Sequence, residues 1–268
     1  MNWLLLTTGD LPEAYVMARF LLDQAQDVTL FNIQGRPPAQ RRRVLLRLAR
    51  RRGWLYMADL ILGRRFRSRY LRPGVPIFPD ITGTAMEEIQ RRCAYALISD
   101  PHDDDTRHRV STLQPDYILF LGAPVIRPEL FTLARRGALN WHHGLSPRYR
   151  GSDCVIWAMA NNEFDQIGFT IHRVSEVVDG GGILLQRPVA ARTDLDFTES
   201  IADIARRGMQ GFIEVVASIL EGRPPEPMEQ GRGGTHYPPA GLSTFRRAFR
   251  HFQAYAARNP GADRSGAG

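Results

Sequence analysis

Residues 138–151 read ALNWHHGLSPRYRG, and this stretch begins as an apolar strand. It then passes into an amide, two imidazoles and a loop with proline, glycine and two arginines. Chemically active side chains are therefore concentrated where a strand ends. Open α/β sheets bind their ligands at the carboxyl ends of their strands. The stretch thus predicts the class of fold and the position of its site together.

Strands and helices alternate on both sides of this stretch. Apolar runs that end in turn residues predict strands at 3–7, 28–31, 94–98, 117–121, 167–174 and 183–186. Helical periodicity predicts helices at 12–21, 40–52, 54–62, 86–92, 103–113, 129–136 and 155–161, then a long helix from Thr198 and another through 245–252. This order predicts an α/β, Rossmann-like fold, in which helices flank a mostly parallel sheet and a small helical extension follows at the C-terminus.

Composition excludes several kinds of chemistry. All 35 residues counted as lysine or arginine are arginine, which excludes Schiff bases and Walker-type phosphate clamps. The two cysteines lack Cys-x-x-Cys spacing, so we expect reduced thiols and no metal site. The first turn, at 7–10, lacks the glycine fingerprint of dinucleotide cofactors. The sequence has no long apolar run and no basic leader, so we expect a cytoplasmic protein.

The segment 36–72 is strongly basic. It carries 13 arginines and the single acid Asp59 within a chain whose formal net charge is +7. We expect a helical insertion whose arginines form a solvated face. A basic amphipathic helix beside tryptophan and leucine could instead lie on an anionic membrane surface, peripheral to the bilayer. A phosphorylated or nucleic-acid partner is the third interpretation.

A second group of motifs follows the opening stretch. Gly168-Phe-Thr-Ile-His172 forms a strand pattern, and Asp179-Gly-Gly forms a turn before the next strand. Together with Asn140-x-His142 and the arginine loop, these motifs resemble the folate-dependent formyltransferase family. That family includes glycinamide ribonucleotide transformylase, methionyl-tRNA formyltransferase and the sugar-nucleotide N-formyltransferases, and the last have the closest layout. The resemblance runs from about residue 116 to 186.

The chemistry of formyl transfer agrees with these residue types. Transfer from a tertiary arylamine nitrogen to an amine passes through a tetrahedral intermediate, which needs an oxyanion donor and a proton shuttle. Asn140 and His142 stand two positions apart on a strand, so their side chains point to the same side. Asp179, from a separate loop, can keep the imidazole protonated and take the proton that the amine loses.

The resemblance implies a set of site residues. As catalytic residues it implies Asn140, His142 and Asp179. For the cosubstrate, 10-formyltetrahydrofolate, it implies Leu121, Gly122, Ile126, Gly180 and Gly181. As contacts of the acceptor we expect Arg148, Tyr149, Arg150 and His143.

Two positions depart from the family pattern. His143-Gly144 stands where the family often has Pro-Ser, and Trp141 takes the place of a small aliphatic residue. We interpret His143 as a loop histidine at the surface, with a second functional imidazole as the alternative. We expect His172 to be structural or to line the substrate.

The resulting hypothesis is an enzyme that formylates the primary amine of a small acceptor. The turn at 7–10 lacks a glycine- and serine-rich phosphate cradle, and only about 80 residues follow 186, which together favour an amino-sugar nucleotide over a ribonucleotide or tRNA. A formyltetrahydrofolate hydrolase and a non-catalytic, membrane-surface module are the alternatives, and a homodimer stays open. We expect a catalytic domain at 1–190, containing the insertion 36–72, and a helical extension at 191–268 with a disordered tail.

Overall fold

The computed structural model describes residues 1–34, 38–231 and 233–261, and side chains of 38–44 are not described. Most of the predicted disordered tail therefore lies outside the described residues. Within the described ranges, no helix is both long and apolar enough to span a bilayer.

The secondary structure alternates between strands and helices along the first two-thirds of the chain. The strands are β1 (Asn2–Thr8), β2 (Asp27–Ile33), β3 (Ala94–Ile98), β4 (Tyr117–Leu121), β5 (Gly137–His142), β6 (Tyr149–Gly151), β7 (Gly168–Arg173), β8 (Ile183–Pro188) and β9 (Thr235–Tyr237). The helices are α1 (Pro12–Asp23), α2 (Pro38–Arg52), α3 (Trp54–Phe66), α4 (Gly83–Arg92), α5 (Asp104–Leu113), α6 (Pro128–Phe131), α7 (Cys154–Ala160), α8 (Phe197–Leu220) and α9 (Leu242–Arg258).

A seven-stranded sheet carries the fold, with the order β3-β2-β1-β4-β5-β7-β8. The strands β1 to β5 pair in parallel, and β7 pairs antiparallel with both β5 and β8. The predicted α/β, mostly parallel sheet flanked by helices is thereby confirmed. Because the order reverses at β1, the carboxyl ends of the neighbouring strands form a crevice at one edge, where such sheets bind ligands.

Two hydrophobic clusters cover the two faces of the sheet. Along β1, Trp3 and Leu5 belong to one cluster, while Leu4 and Leu6 belong to the other. A strand buried on both faces is typical of parallel sheets and explains its continuous apolar run. Helices α8 and α9 contribute to the first cluster together with β1 and β4. The C-terminal helices thus complete the main core, and the division at residue 190 stays a proposal.

Three short elements differ from the sequence predictions. The helix predicted at 129–136 is a single turn, α6, because the amides of Arg135 and Arg136 bond back to the carbonyls of Pro115 and Asp116. The strands β6 and β9 were not predicted, and they form a separate two-stranded parallel sheet. Each has three residues, which is too short for an alternating pattern to be recognised.

The back of β5 is matched in shape to helix α8. Trp141 points away from Asn140 and His142 into the core, where it is 6% exposed. A Cβ atom at Gly208 of α8 would lie 2.7 Å from the Trp141 indole nitrogen. The bulky residue that replaces a small aliphatic one is therefore accommodated by a glycine on the facing helix.

We expect Gly208→Ala to destabilise the protein by about 1–3 kcal/mol, since the added methyl group overpacks the contact with Trp141. In a Trp141→Leu background the same change should become neutral or stabilising by up to about 1 kcal/mol, because alanine is the better helix former. Denaturant unfolding of the four proteins measures this coupling. Purely additive effects would contradict the proposed contact.

Candidate active site

The carboxyl end of β5 brings together the first two predicted catalytic residues. Asn140 and His142 lie on the same face of the strand, and the antiparallel register places His172 of β7 directly opposite Asn140. The Asn140 Nδ2 atom lies 3.1 Å from His172 Nε2. Side chains opposite one another in an antiparallel pair share a face, so three functional groups converge at this edge.

Asp179 reaches this cluster from the loop between β7 and β8. Its φ of 50° lies in the left-handed region, which aspartate tolerates better than most residues. The carboxylate accepts a hydrogen bond from the Gly151 amide at 2.8 Å and one from Asn140 Nδ2 at 3.5 Å. Its two oxygens also lie 3.6 Å from His142 Nδ1 and 3.6 Å from His172 Nε2. Four groups therefore surround one carboxylate.

Main-chain carbonyl groups fix the orientation of both imidazoles. The Nε2 atom of His142 lies 2.8 Å from the carbonyl oxygen of Tyr149, and Nδ1 of His172 lies 2.8 Å from that of Arg173. A carbonyl oxygen can only accept, so these nitrogens carry the protons, as assigned from the hydrogen-bond network. The other nitrogen of each imidazole, Nδ1 of His142 and Nε2 of His172, faces Asp179.

The protonation states follow from burial and neighbouring charge. Burial raises the pKa of Asp179, but the hydrogen bond to His172, the charge of His142 and the Gly151 amide outweigh it and lower that pKa to about 2. Burial lowers the pKa of His142, whereas Asp179 and the Tyr149 carbonyl oppose that shift. Burial and the nearby His142 lower the pKa of His143 to about 4. Asp179 is thus a carboxylate at neutral pH, and His143 is neutral.

A cavity of about 420 Å³ opens onto this cluster. One wall is the loop after β4, including Gly122, Val125 and Ile126, and the opposite wall is the loop that precedes Asp179. Both loops are mainly apolar, whereas the floor carries the amide, imidazole and carboxylate groups. Pockets of this size and polarity are typical of small-molecule sites. Within the described ranges, no group of three or more metal-ligating side chains is arranged to hold a metal ion.

Comparisons with known proteins agree with this geometry. Residues 84–216, which include β4 to β8 and most of α8, match the formyl transferase family. The matched segment is just under half of the chain.

Among curated proteins, it is 32% identical over 122 residues to a methionyl-tRNA formyltransferase of Chlorobium chlorochromatii, which covers 46% of this chain and 38% of that protein. It is 35% identical over 116 residues to a GDP-perosamine N-formyltransferase of Brucella melitensis, which covers 42% of this chain and 44% of that protein. The matched stretches thus span less than half the length of these relatives.

A solved structure extends the similarity beyond the matched stretch. The N-formyltransferase of Helicobacter canadensis, in complex with folinic acid and dTDP-3-aminofucose, aligns with a TM-score of 0.56 and 14% identity. The alignment covers 95% of this chain and 82% of that one. At this identity the likeness concerns the fold, which therefore agrees with that of the formyltransferase along nearly the whole chain.

The predicted folate-side residues of this formyl transferase fold separate into two groups. Gly122 and Ile126 lie in the wall of the cavity. The side chain of Leu121 is fully buried in the core, and Gly180 and Gly181 lie outside the wall. A side chain at Gly181 would collide with the carbonyl of Arg173, so this glycine allows the loop to pack closely on β7.

The predicted acceptor contacts are mostly engaged within the protein. Arg148 is exposed and pairs with Glu163 at 2.9 Å. Tyr149 is fully buried and donates its hydroxyl group to Glu163 at 2.8 Å, while its carbonyl orients His142. The Nη2 atom of Arg150 donates to Oε1 of Gln230 at 3.4 Å, and Arg150 does not line the cavity. These three residues shape the loop around the site, and their contact with an acceptor stays a prediction.

His143 occupies a different position from the one expected. It lies in the cavity wall, half-buried, with its ring 4.0 Å from that of Trp141, so the interpretation as a surface histidine was wrong. The following Gly144 packs against the hydrogen bond between His142 and Tyr149, where a Cβ atom would lie 2.7 Å from His142 Nε2. A side chain at position 144 would therefore disturb this hydrogen bond.

Two histidines of the site were not predicted as members of the polar cluster. His172 was interpreted as structural or substrate-lining, but it contacts both Asn140 and Asp179. The alternation of β7 carried this signal, since it places His172 on the same face as Thr170, and these two residues pair with Asn140 and His142. His236 lines the cavity because β9 pairs with β6. Nothing in the local sequence pattern of β9 indicates this pairing.

Thr170 fixes the loop that follows β5. Its buried hydroxyl donates to the carbonyl of Gly144 at 2.6 Å and accepts from the amide of Ser146 at 3.1 Å. Gln186 of β8 donates to the same hydroxyl at 2.9 Å and to the carbonyl of Ser146 at 2.6 Å. One side chain thus connects the loop to two strands of the sheet.

We expect Thr170→Val to lower the free energy of unfolding by at least about 1–3 kcal/mol, because it leaves buried polar groups without partners. Thr170→Ser keeps the hydroxyl group and should cost about 1 kcal/mol, for the lost methyl group. Denaturant unfolding measures both variants. Equal losses for valine and serine would show that the hydroxyl network contributes little.

The depressed pKa of Asp179 predicts a pH-dependent contribution to stability. Because its pKa is lower in the folded chain, this carboxylate stabilises the fold above its unfolded pKa, near 4, and the stabilisation is lost as the pH falls toward about 2. The unfolding free energy of Asp179→Asn should therefore lie on the order of 2 kcal/mol below wild type at neutral pH. This difference should shrink below pH 4.

Asp23→Asn is the matched control, since the ion pair of Asp23 with Arg92 is exposed to solvent. Its difference from wild type should be small at every pH. If the difference in unfolding free energy between wild type and Asp179→Asn stays constant from pH 6 down to the lowest pH measured, the assigned pKa is contradicted.

Proposed function

We propose that this protein transfers a formyl group from 10-formyltetrahydrofolate to the primary amine of a small acceptor. The proposal rests on one observation: Asn140, His142, His172 and Asp179 converge at the floor of one cavity, within the residues that match the formyl transferase family. The comparisons support formyl transfer as the reaction class. The donor and the acceptor are parts of the proposal.

Asn140 is the group best placed to stabilise negative charge on the formyl oxygen. The amide donates through Nδ2 to His172 and Asp179. A formyl oxygen that takes over one of these hydrogens receives a donor already held in place on both sides. A preorganised donor of this kind is worth about 100- to 1000-fold in rate.

His142, His172 and Asp179 can take up the proton that the attacking amine loses. Asp179 alone is a weak base, since its pKa is about 2. Nδ1 of His142 and Nε2 of His172 both face this carboxylate, and imidazole is the common proton acceptor of active sites near neutral pH. The carboxylate then stabilises the resulting imidazolium, which lowers the cost of holding the proton in a buried site.

The apolar loops on either side of the cavity suit a folate ring system. Gly122 and Ile126 would hold one face of it, and Val174 and Val178 the other. Bound 10-formyltetrahydrofolate would supply the formyl group on a nitrogen that leaves as an arylamine. Exclusion of water by the apolar walls would favour transfer to an amine over loss of the formyl group to water.

An amino-sugar nucleotide is the acceptor class that the observations favour. The relative from Brucella melitensis acts on GDP-perosamine by its name. At the end of β1, the carboxylate of Asp10 accepts from Tyr15 at 2.8 Å and from Asn32 at 2.9 Å. A carboxylate at this turn repels phosphate, which argues against a ribonucleotide phosphate bound there.

The test is incubation with 10-formyltetrahydrofolate and a panel of amines, including amino-sugar nucleotides, with mass detection of the formylated product. Asn140→Ala and Asp179→Asn should each reduce turnover by about 100- to 1000-fold with the fold intact. Asp23→Asn, far from the cavity, is the control and should retain full turnover. Circular dichroism verifies that each variant is folded.

Two outcomes would contradict the proposal. Release of formate at the same rate with and without every amine would favour the hydrolase alternative. Absence of any formyl product, although the folded protein binds the folate, would exclude the transferase and favour a non-catalytic module.

A further inference from the structure

The outward face of α3 carries an apolar stripe that, among the described residues, is exposed to solvent. Its buried side is short, with Met57 and Leu60 against the core. On the opposite side, Trp54 is 72% exposed, Leu55 89% and Ile61 59%. Much of the apolar surface of α3 therefore faces solvent. Helices of globular proteins normally place polar side chains there.

In the middle of α2, Leu45 and Leu46 are also exposed. Elsewhere in the described ranges, exposed large apolar side chains are scattered, as at Leu97 and Met228, or line the catalytic cavity. We call the exposed apolar residues of the two helices the apolar stripe, and its members are Leu45, Leu46, Trp54, Leu55, Ile61 and Leu62. A contiguous patch of this kind marks an interaction surface.

Arginines surround the apolar stripe. Arg47, Arg50, Arg51, Arg52, Arg64 and Arg65 are all exposed, and none forms an ion pair within the part of the chain that the structure describes. Asp59 is the single acid of this segment, and its two oxygens accept hydrogen bonds at 2.8 Å from the amide and the hydroxyl group of Ser243 at the start of α9. The apolar surface is therefore bordered by uncompensated positive charge.

A basic groove lies beside the apolar stripe, between α3 and α9. Arg246, Arg247 and Arg250 share one face of α9 and line the groove with Arg69, Tyr70 and Trp157. Its volume is about 1010 Å³. Phe66 lines this groove and is 37% exposed, so it joins the groove to the apolar stripe.

The groove is held open by close packing of the two helices. A Cβ atom at Gly63 of α3 would lie 2.7 Å from the amide nitrogen of Leu242, at the start of α9. The hydroxyl group of Tyr56 donates to the carbonyl of Pro239 at 2.9 Å. The groove is therefore a preformed feature of the fold.

We propose that α2, α3 and the basic groove dock the protein onto an anionic phospholipid surface. The apolar stripe lies at the boundary between headgroups and acyl chains, and the arginines of the groove bind lipid phosphates. With 13 residues, α3 is only about 20 Å long. A helix that spans a bilayer needs roughly 20 residues, so in this proposal α3 lies in the plane of the surface.

Charge and composition favour a lipid surface over the other occupants. In a symmetric pair of copies, the two arginine borders would face each other and repel. Nucleic acid would engage the arginines and aromatic rings, but it offers no apolar phase for Leu55 or Ile61. An anionic bilayer satisfies the positive border and the apolar centre together. This docking is independent of the proposed transferase activity.

Sedimentation with vesicles tests the proposal on the full chain. We expect binding to phosphatidylcholine vesicles that contain phosphatidylglycerol, and weak or no binding to phosphatidylcholine alone. Added salt should weaken binding but not abolish it, because the apolar contribution is not screened. Of the four tryptophans, Trp54 alone is exposed, so most of the blue shift of fluorescence on binding should be lost in Trp54→Phe, and any remainder reports on the half-buried Trp157 of the groove.

Two sets of variants separate the apolar and the charged contributions. Leu55→Glu and Ile61→Glu should each weaken vesicle binding at least about tenfold. Leu97→Glu should not, since Leu97 is 53% exposed, close to the 59% of Ile61, but lies on β3 outside the stripe. Arg246→Gln and Arg250→Gln should each weaken it roughly fivefold, and Arg91→Gln on α4 is their control. All are surface changes, and thermal unfolding verifies their folding.

The proposal is overturned if the protein does not bind anionic vesicles at low salt. It is also overturned if Leu55→Glu and Ile61→Glu leave vesicle binding unchanged. If ultracentrifugation shows a dimer that Leu55→Glu dissociates while vesicles are ignored, the stripe is an interface between copies. Binding of RNA that depends on the arginines but not on the stripe, without vesicle binding, would assign the surface to nucleic acid.

Discussion

A single carboxylate, that of Asp179, holds a negative charge at a place where it is only 11% exposed. Such a charge is costly to bury unless several donors surround it. The Gly151 amide, the Asn140 amide and two imidazoles meet that need, and they come from the strands β5, β6 and β7. The loop after β5, the strand β7 and the loop before β8 must therefore all be in place for this one group. The shape of the site follows from that requirement.

The antiparallel pairing of β5 with β7 supplies the other constraint. It places His172 opposite Asn140 and Thr170 opposite His142. A shift of one residue would turn both side chains of β7 to the other face of the sheet, toward the core. Gln186 on β8 and the hydroxyl of Thr170 then fix the loop that carries Gly144 and Ser146. The register of two edge strands thus sets the distances in the site.

The sequence predicts the sheet and three of the four polar residues at the floor of the cavity. Strands buried on both faces read as continuous apolar runs, and Asn140 and His142 at a strand end point to one side. Asp179 was recognised through its glycine neighbours and the family resemblance. The fourth residue, His172, and the wall residue His236 depend on which strands pair, and pairing is a long-range property that a local pattern does not contain. The exposure of α3 could not be predicted for the same reason. Apolar periodicity predicts that a helix face is buried, but it does not identify the surface that buries it.

The two faces of β5 serve different purposes, and this couples the site to the core. Asn140 and His142 face the cavity, while Trp141 between them fills the space over Gly208. The space behind position 141 is therefore shared between β5 and α8. With tryptophan at position 141, a side chain at position 208 must displace either the indole ring or the helix. A change of volume on α8 is thus transmitted to the strand on which Asn140 and His142 stand.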